Sequence, residues 1–306
     1  MQKIPYNLYS RYIKKVHGQR VQKISINADF TCPNRDGTVA SGGCTYCNND
    51  SFSHYTRNSS DSLKEQIEDT IKHYQVESSS LNKFFVYFQS YSNTYAPIKE
   101  LEKLYLEALE HKDVIGLCIG TRSDCVDKEK INFLEQLSKS YDITIEYGLE
   151  SASDDTLKKI NRGHDIHNFL SAIDLTANRG IKMCAHLILG FPWENEQTML
   201  EGANFISKLP IEFVKLHQLH IVKHTVLGSE YLKKPFKTYT QTEYIELLKK
   251  FLVILRPDIV MQRLFGSAPE ELMLSPHWPE PLTQLNNRLI KEMNIENIWQ
   301  GKNYIQ

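Results

Sequence analysis

The chain has 306 residues, 41% of them apolar and 24% charged, with a formal net charge of −1. A chain this long buries enough core to fold without disulfide or metal staples, and 14 glycines and 11 prolines exclude a collagen-like or low-complexity protein. Six cysteines are too few for a secreted disulfide scaffold, yet Cys32, Cys44 and Cys47 fall within sixteen residues.

Residues 1–22 form a basic extension. Lys3, Arg11, Lys14, Lys15 and Arg20, followed by Lys23, alternate with Tyr6, Tyr9 and Tyr12 without an acid. No apolar run follows the early charges, so no secretory leader is expected. Strands are then predicted at 23–30, 83–89, 114–121, 142–150, 181–190 and 213–221, alternating with helices at 61–77, 97–111, 127–140, 165–179, 195–208 and 241–255. Asp61-Ser62 and Asp127 supply helix starts. A Pro-punctuated tail, 256–306, carries a short amphipathic helix near 282–293. The longest apolar stretch, 183–191, contains His186 and is far too short to span a membrane. A cytoplasmic chain with reduced thiols is the expectation.

Strand starts recur roughly every 30 residues, the size of one βα unit. Runs such as VIGLCIG and HLILGF are apolar on both faces, as strands covered on both sides should be. Six units in series imply a parallel sheet, either doubly wound or a partial (β/α) barrel. No G-x-G-x-x-G follows the first strand, which weakens a dinucleotide-binding reading. Both architectures place the ligand at the carboxyl ends of the strands.

The cysteines follow the first strand, in TCPNRDG and SGGCTYCNN, with spacing C-x11-C-x2-C. Gly37, Gly42 and Gly43 permit the backbone turns of a metal-wrapping loop. Three thiolates suit an iron–sulfur cluster with one iron open to a non-protein ligand. A zinc site wants a fourth ligand, for which the nearby histidine is His54. Inert buried thiols fit poorly with a loop of Asn, Asp, Gly, Ser and Thr.

This segment resembles the cluster loop of radical S-adenosylmethionine (SAM) enzymes, in the branch of the catalytic subunit of Elongator and the oxygen-independent coproporphyrinogen oxidases. It is most similar to a short bacterial family related to that Elongator subunit, which carries C-P-N-R-D-G-T…G-G-C-x-(Y/F)-C-N. The spacing departs from the commonest C-x3-C-x2-C of the superfamily. The resemblance implies an α/β fold, a partial (β/α)6 TIM-like radical SAM barrel over 23–255, with 256–306 packed on it. It also implies a 4Fe-4S cluster on Cys32, Cys44 and Cys47. SAM at its open iron is reduced to methionine and a 5′-deoxyadenosyl radical, with electrons from a donor such as flavodoxin or ferredoxin.

The remaining strand ends extend the resemblance. The second ends near Asn93 and Thr94, where SAM's amino group is received, although the usual glycines are absent. The third ends Thr121-Arg122-Ser123-Asp124, similar to T-R-P-D with Ser for Pro. The resemblance places Glu150 and Ser151 at the ribose, Arg162 at the carboxylate, and Tyr46, Leu189 and Gly190 around the adenine. Arginine matches a carboxylate bidentately. Each residue also has a plainer reading: Glu150 and Ser151 as helix caps, Arg162 as a surface cation, Tyr46 as core.

Cys118 and Cys184 read as core thiols, and Cys125 as a residue that meets substrate or none. His217, His220 and His224 look like a metal set, but strand geometry sends 217 and 220 to opposite faces. Residues 215–237 hold Lys215, Lys223, Lys233, Lys234 and Lys237 against Glu230. Basic residues with aromatics grip phosphates and stack bases, and the likeness to Elongator points to tRNA. The expected function is therefore modification of the C5 side chain of a tRNA wobble uridine, without the acetyl-CoA step. The alternatives are a radical SAM oxidoreductase acting on a small, porphyrinogen-like molecule, and a non-catalytic zinc-stabilised RNA-binding module.

Overall fold

The computed structural model describes residues 3–51, 61–78 and 80–305; His54 lies outside them. In chain order the elements are α1 (Tyr9–His17), β1 (Gln22–Ile26), α2 (Leu63–Glu77), β2 (Phe84–Phe88), α3 (Ile98–Leu109), β3 (Val114–Thr121), α4 (Lys128–Ser138), β4 (Asp142–Glu150), α5 (Asp154–Lys159), α6 (Ile166–Thr176) and β5 (Lys182–Leu189). There follow α7 (Glu196–Ser207), β6 (Phe213–Gln218), β7 (Ile221–Val222), α8 (Val226–Lys233), α9 (Gln241–Ile254), β8 (Val260–Arg263), β9 (Met273–Ser275) and α10 (Leu282–Ile295).

Seven strands pair in parallel in the order β1-β2-β3-β4-β5-β6-β8. The sheet curls so far that side chains of its two edge strands touch: Lys23 Nζ of β1 donates to Gln262 Oε1 of β8 at 2.7 Å. This is the partial α/β barrel expected, with one strand more. The seventh strand, VMQR, is too short and polar to stand out as an apolar run. β1 stops at Ile26, because Gln66 Oε1 takes the Asn27 N–H at 2.8 Å and Asp29 turns to φ 54°. β6 stops at Gln218, three residues earlier than predicted. Helix starts follow the caps: Ser62 and Glu65 form a capping box on α2, and Asp127 accepts from the Lys130 N–H at 3.0 Å on α4.

Alternate strand residues point outward and pack under the helices, among them Ile24, Val86, Ile119, Ile145, Leu187 and Leu216. The inward residues form layers. The lowest is apolar: Phe85, Cys118, Cys184, Phe213 and Val260, closed beneath by Tyr9 and Tyr12 of α1. Both rings meet Phe213 edge-on, at 5.5 and 5.2 Å. The basic N-terminal stretch is thus divided. Its tyrosines plug the floor of the barrel and Lys23 enters the bore, so Tyr9 and Tyr12 are committed to packing rather than stacking on bases. The tail ties down both ends: the Gln300 N–H donates to the Pro5 carbonyl and its carboxamide donates to the Ile259 carbonyl, at 2.8 and 2.7 Å.

Candidate active site

Above the apolar floor lies a charged layer. Glu146, buried in mid-β4, accepts hydrogen bonds from Lys23 Nζ at 2.9 Å, His186 Nε2 at 3.0 Å and Lys215 Nζ. Lys215 also donates to Tyr87 Oη at 3.0 Å. Burial alone would raise the Glu146 carboxyl, but Lys215 and Lys23 hold it well below the usual range. Burial lowers the Lys215 ammonium to about 8 in spite of Glu146.

Over this layer opens a cavity of about 1340 Å³, counting its mouth, at the carboxyl ends of the strands. Its rim is the cysteine loop. Cys32, Cys44, Cys47 and Tyr46 all line the cavity, with Thr121, Arg122, Glu150 and Arg162. The loop is folded on itself and sewn to the turn after α5. The Gly43 N–H donates to the Asn34 carbonyl at 2.7 Å, the Thr45 N–H to the Ile160 carbonyl at 2.9 Å, and Asn161 Nδ2 to the Gly43 carbonyl at 2.9 Å. Gly43 takes φ 78°, and a Cβ there would lie 3.1 Å from the Arg35 side chain.

Arg162 stands at the centre of the polar wall. Nη2 donates to the Gly148 carbonyl at 2.6 Å and lies 3.3 Å from Glu150 Oε1, while Nη1 points to Cys44 Sγ at 3.7 Å. Its Nε is buried without a partner. Arg122 chelates Asp124 with two bonds, at 2.8 and 2.6 Å, and donates from Nη1 to the Arg162 carbonyl. Glu150 holds φ 67°, a strained conformation for a residue with a side chain.

The other predicted contacts stand off the cavity. Asn93 donates to the Phe88 and Gly120 carbonyls, and Thr94 bonds Thr121 Oγ1 at 2.6 Å, so both brace the β2 and β3 ends from beneath. Ser151 Oγ donates to Glu194 Oε1 at 2.5 Å. Gly190 packs against Tyr239, and Leu189 lies in the outer core. Cys125 is buried beside Asp124, its thiol pushed up to about 12 by burial. Ser153, rather than Glu150 or Ser151, caps α5.

The histidines require a correction. His217 and His220 both face the cavity, because β6 ends at Gln218 and the strand alternation ends with it. Lys215, grouped from the sequence with the basic stretch 215–237, is instead buried in the bore on Glu146 and Tyr87, and Glu146 and Arg263 carried no expected role. The signal was available for Glu146 and Lys215: a charged residue in the middle of a strand covered on both sides has to be paired.

The donor set fits an iron–sulfur cluster. Three thiols share the rim, and the Cys44 sulfur receives Asn34 Nδ2 at 3.4 Å as well as Arg162, the kind of hydrogen bonding that tunes such clusters. A single tetrahedral ion would draw its sulfurs to within about 4 Å of one another. Among the described residues, the group of three ligand atoms within 4.8 Å of each other is Glu246, Glu292 and Glu296, on the outer surface, and not the three thiols.

The family model of the radical SAM superfamily matches residues 35–206, and that of the Radical_SAM C-terminal domain residues 211–294. The chain belongs to the radical SAM superfamily. It is a radical SAM enzyme, and its cofactors are a 4Fe-4S cluster and SAM. It is 36% identical to "Uncharacterized protein MJ0486" of Methanocaldococcus jannaschii and 32% to "Uncharacterized protein YtqA" of Bacillus subtilis, in each case over 97% of this chain and 92% of the other. A "tRNA uridine(34) acetyltransferase" of Methanocaldococcus infernus is 27% identical over 49% of this chain and 28% of its own. Among solved structures, Elp3 of M. infernus superposes with a TM-score of 0.67 at 18% identity, over 92% of this chain and 64% of that one. Coproporphyrinogen III oxidase of Escherichia coli gives 0.50 at 10% identity, over 76% and 51%. These two show the fold. No helix among the described residues is long and apolar enough to cross a membrane.

Proposed function

We propose that this radical SAM enzyme modifies the C5 side chain of a tRNA wobble uridine. The observation that carries the reading is the likeness of nearly half the chain to a protein named for uridine 34 of tRNA. The surface agrees with it. Lys223 is exposed just before α8, Lys233 at its last residue and Lys234 just after it, and the Leu227 N–H of α8 donates to the Thr45 carbonyl of the cysteine loop at 2.9 Å. Lys223 directly follows Val222, which lines the cavity, and a phosphate backbone would lie against these lysines. Arg11, Lys14 and Lys15 sit on α1 at the opposite end of the barrel.

When bound, the cluster and SAM supply a 5′-deoxyadenosyl radical by one-electron cleavage of the sulfonium. Cys32, Cys44 and Cys47 hold the cluster. Tyr46, Thr121, Arg122, Glu150 and Arg162 border SAM, with Glu150 accepting from ribose hydroxyls and the unpartnered Arg162 Nε offered to a carboxylate. Asn93 holds the Gly120 carbonyl and Thr94 the Thr121 hydroxyl, and Ser151, Leu189 and Gly190 shape the wall behind.

Anaerobically purified protein should be brown, bleach with dithionite and cleave SAM. Colourless protein with one stoichiometric zinc would overturn the cluster assignment. Nucleosides of total tRNA, compared by mass spectrometry with and without the gene, should differ at the wobble uridine. An unchanged profile there would overturn the tRNA substrate.

A further inference from the structure

Arg263 reaches the cavity through an irregularity in β8. Phe213 pairs with Val260 and Val214 with Met261, but Lys215 pairs with Arg263, leaving Gln262 as an extra residue. Regular alternation would send Val260 and Gln262 inward and Met261 and Arg263 out beneath the helices. The bulge cancels that. Gln262 meets Lys23 inside the bore, and Arg263 lines the cavity beside Lys215. Bulges that re-aim a side chain cluster beside active sites.

The surroundings of Arg263 carry more positive than negative charge. Lys23, Lys215 and Arg263 face a single carboxylate, Glu146, which the two lysines already share with His186. Among the described residues Arg263 has no carboxylate partner. The nearby imidazoles of His217 and His220 are held neutral, first by burial and then by Arg263. The loop after β8 presses against them: a Cβ on Gly266 would lie 2.6 Å from His217 Nδ1. Gln218 locks that loop, accepting from the Gly266 N–H at 2.9 Å and donating to its carbonyl at 3.0 Å. A planar cation with free donors, flanked by neutral imidazoles on a fixed wall, is built to receive an oxyanion. This wall is distinct from Arg122, Glu150 and Arg162, which lie at the ends of β3 and β4 and in the turn after α5.

We propose that Arg263, with His217 and His220, is the pocket for an anionic group of the substrate, a carboxylate or a phosphate, which enters the bore ahead of the reacting carbon. The proposal deepens the assignment of this cavity as a radical SAM active site and rests on it for calling the ligand a substrate. On the wobble-uridine reading, the anion is a carboxylate on the C5 side chain or a nucleotide phosphate.

The test titrates the cluster-loaded, SAM-bound protein, without reductant, with acetate, inorganic phosphate and neutral acetamide by calorimetry. One anion should bind saturably and acetamide should not. Tighter acetate assigns a carboxylate, and tighter phosphate assigns a phosphate. Arg263→Gln should weaken that binding at least tenfold and Arg263→Lys less. Lys208→Gln, an exposed change outside the barrel, should leave it as in the wild type. Equal binding by the wild type and Arg263→Gln, or saturable binding of neither anion, would overturn the pocket. Iron content and wobble nucleosides are read separately. Wild-type protein that binds anions but holds no iron would sink the radical chemistry and not the pocket.

Discussion

Glu146 on β4 accepts from Lys215 on β6 across the bore, passing over β5, which lies between the two strands. Side chains two strands apart meet inward only because the sheet curls, so this bond is a tertiary measure of closure. With Lys23 of β1 on the same carboxylate, Glu146 gathers three parts of the barrel wall into one charged layer.

Removing that carboxylate strands two buried ammoniums. Glu146→Gln should cost about 3–5 kcal/mol in urea unfolding. The double change Glu146→Leu with Lys215→Met should cost less than Glu146→Gln alone, since it removes both ends of the pair. A single substitution that leaves the unfolding midpoint in place would contradict the role of this layer.

Gly148 leaves room that the ends of the Glu150 and Arg162 side chains occupy. A Cβ there would run into Glu150 Oε1 and stand 2.5 Å from Arg162 Nη2. Gly148→Ala should therefore push the Glu150–Arg162 pair aside and weaken SAM binding at least tenfold, about 1.4 kcal/mol, measured by anaerobic equilibrium dialysis. Iron content should hold, because the cysteines are untouched. Unchanged SAM affinity would argue against the placement of SAM beside this pair.

His220, facing Arg263, His217 and Gln218, has its pKa lowered from 6.5 to about 4 by burial and by Arg263. Between these values the unfolded chain binds the proton and the folded one does not. Its contribution is complete above pH 6.5 and is lost as pH falls toward 4, at most about 3 kcal/mol at 1.36 kcal/mol per unit. The difference in stability between the wild type and His220→Gln should shrink across that window in thermal melts. A constant difference from pH 7 to 4 would refute the assignment.

Tyr12 closes the floor against Phe213, Cys184 and Val260. Tyr12→Ala should lower stability by about 3 kcal/mol while leaving tRNA affinity, measured on folded protein at fixed salt, unchanged. The opposite pattern would return the N-terminal aromatics to nucleic-acid binding.

Much of this protein is legible locally. The strands at 114–121 and 142–150 stand where their apolar runs place them, since strands covered on both faces need unbroken hydrophobicity. The polar, glycine-punctuated cysteine loop is visible for the opposite reason: nothing in it serves a core. Where charge and apolarity mix, the sequence is silent. β8 is four residues ending in Arg263, and the tyrosines of α1 read as well for a nucleic-acid surface as for a plug.

By itself, then, the sequence determined the βα alternation and the three-cysteine loop after the first strand, because each is a contiguous pattern set by neighbouring residues. The tertiary structure decided which polar residues face the bore. That depends on curl, on where β6 ends and on a one-residue bulge in β8, and each of these is fixed by the partner strand rather than by the residues themselves.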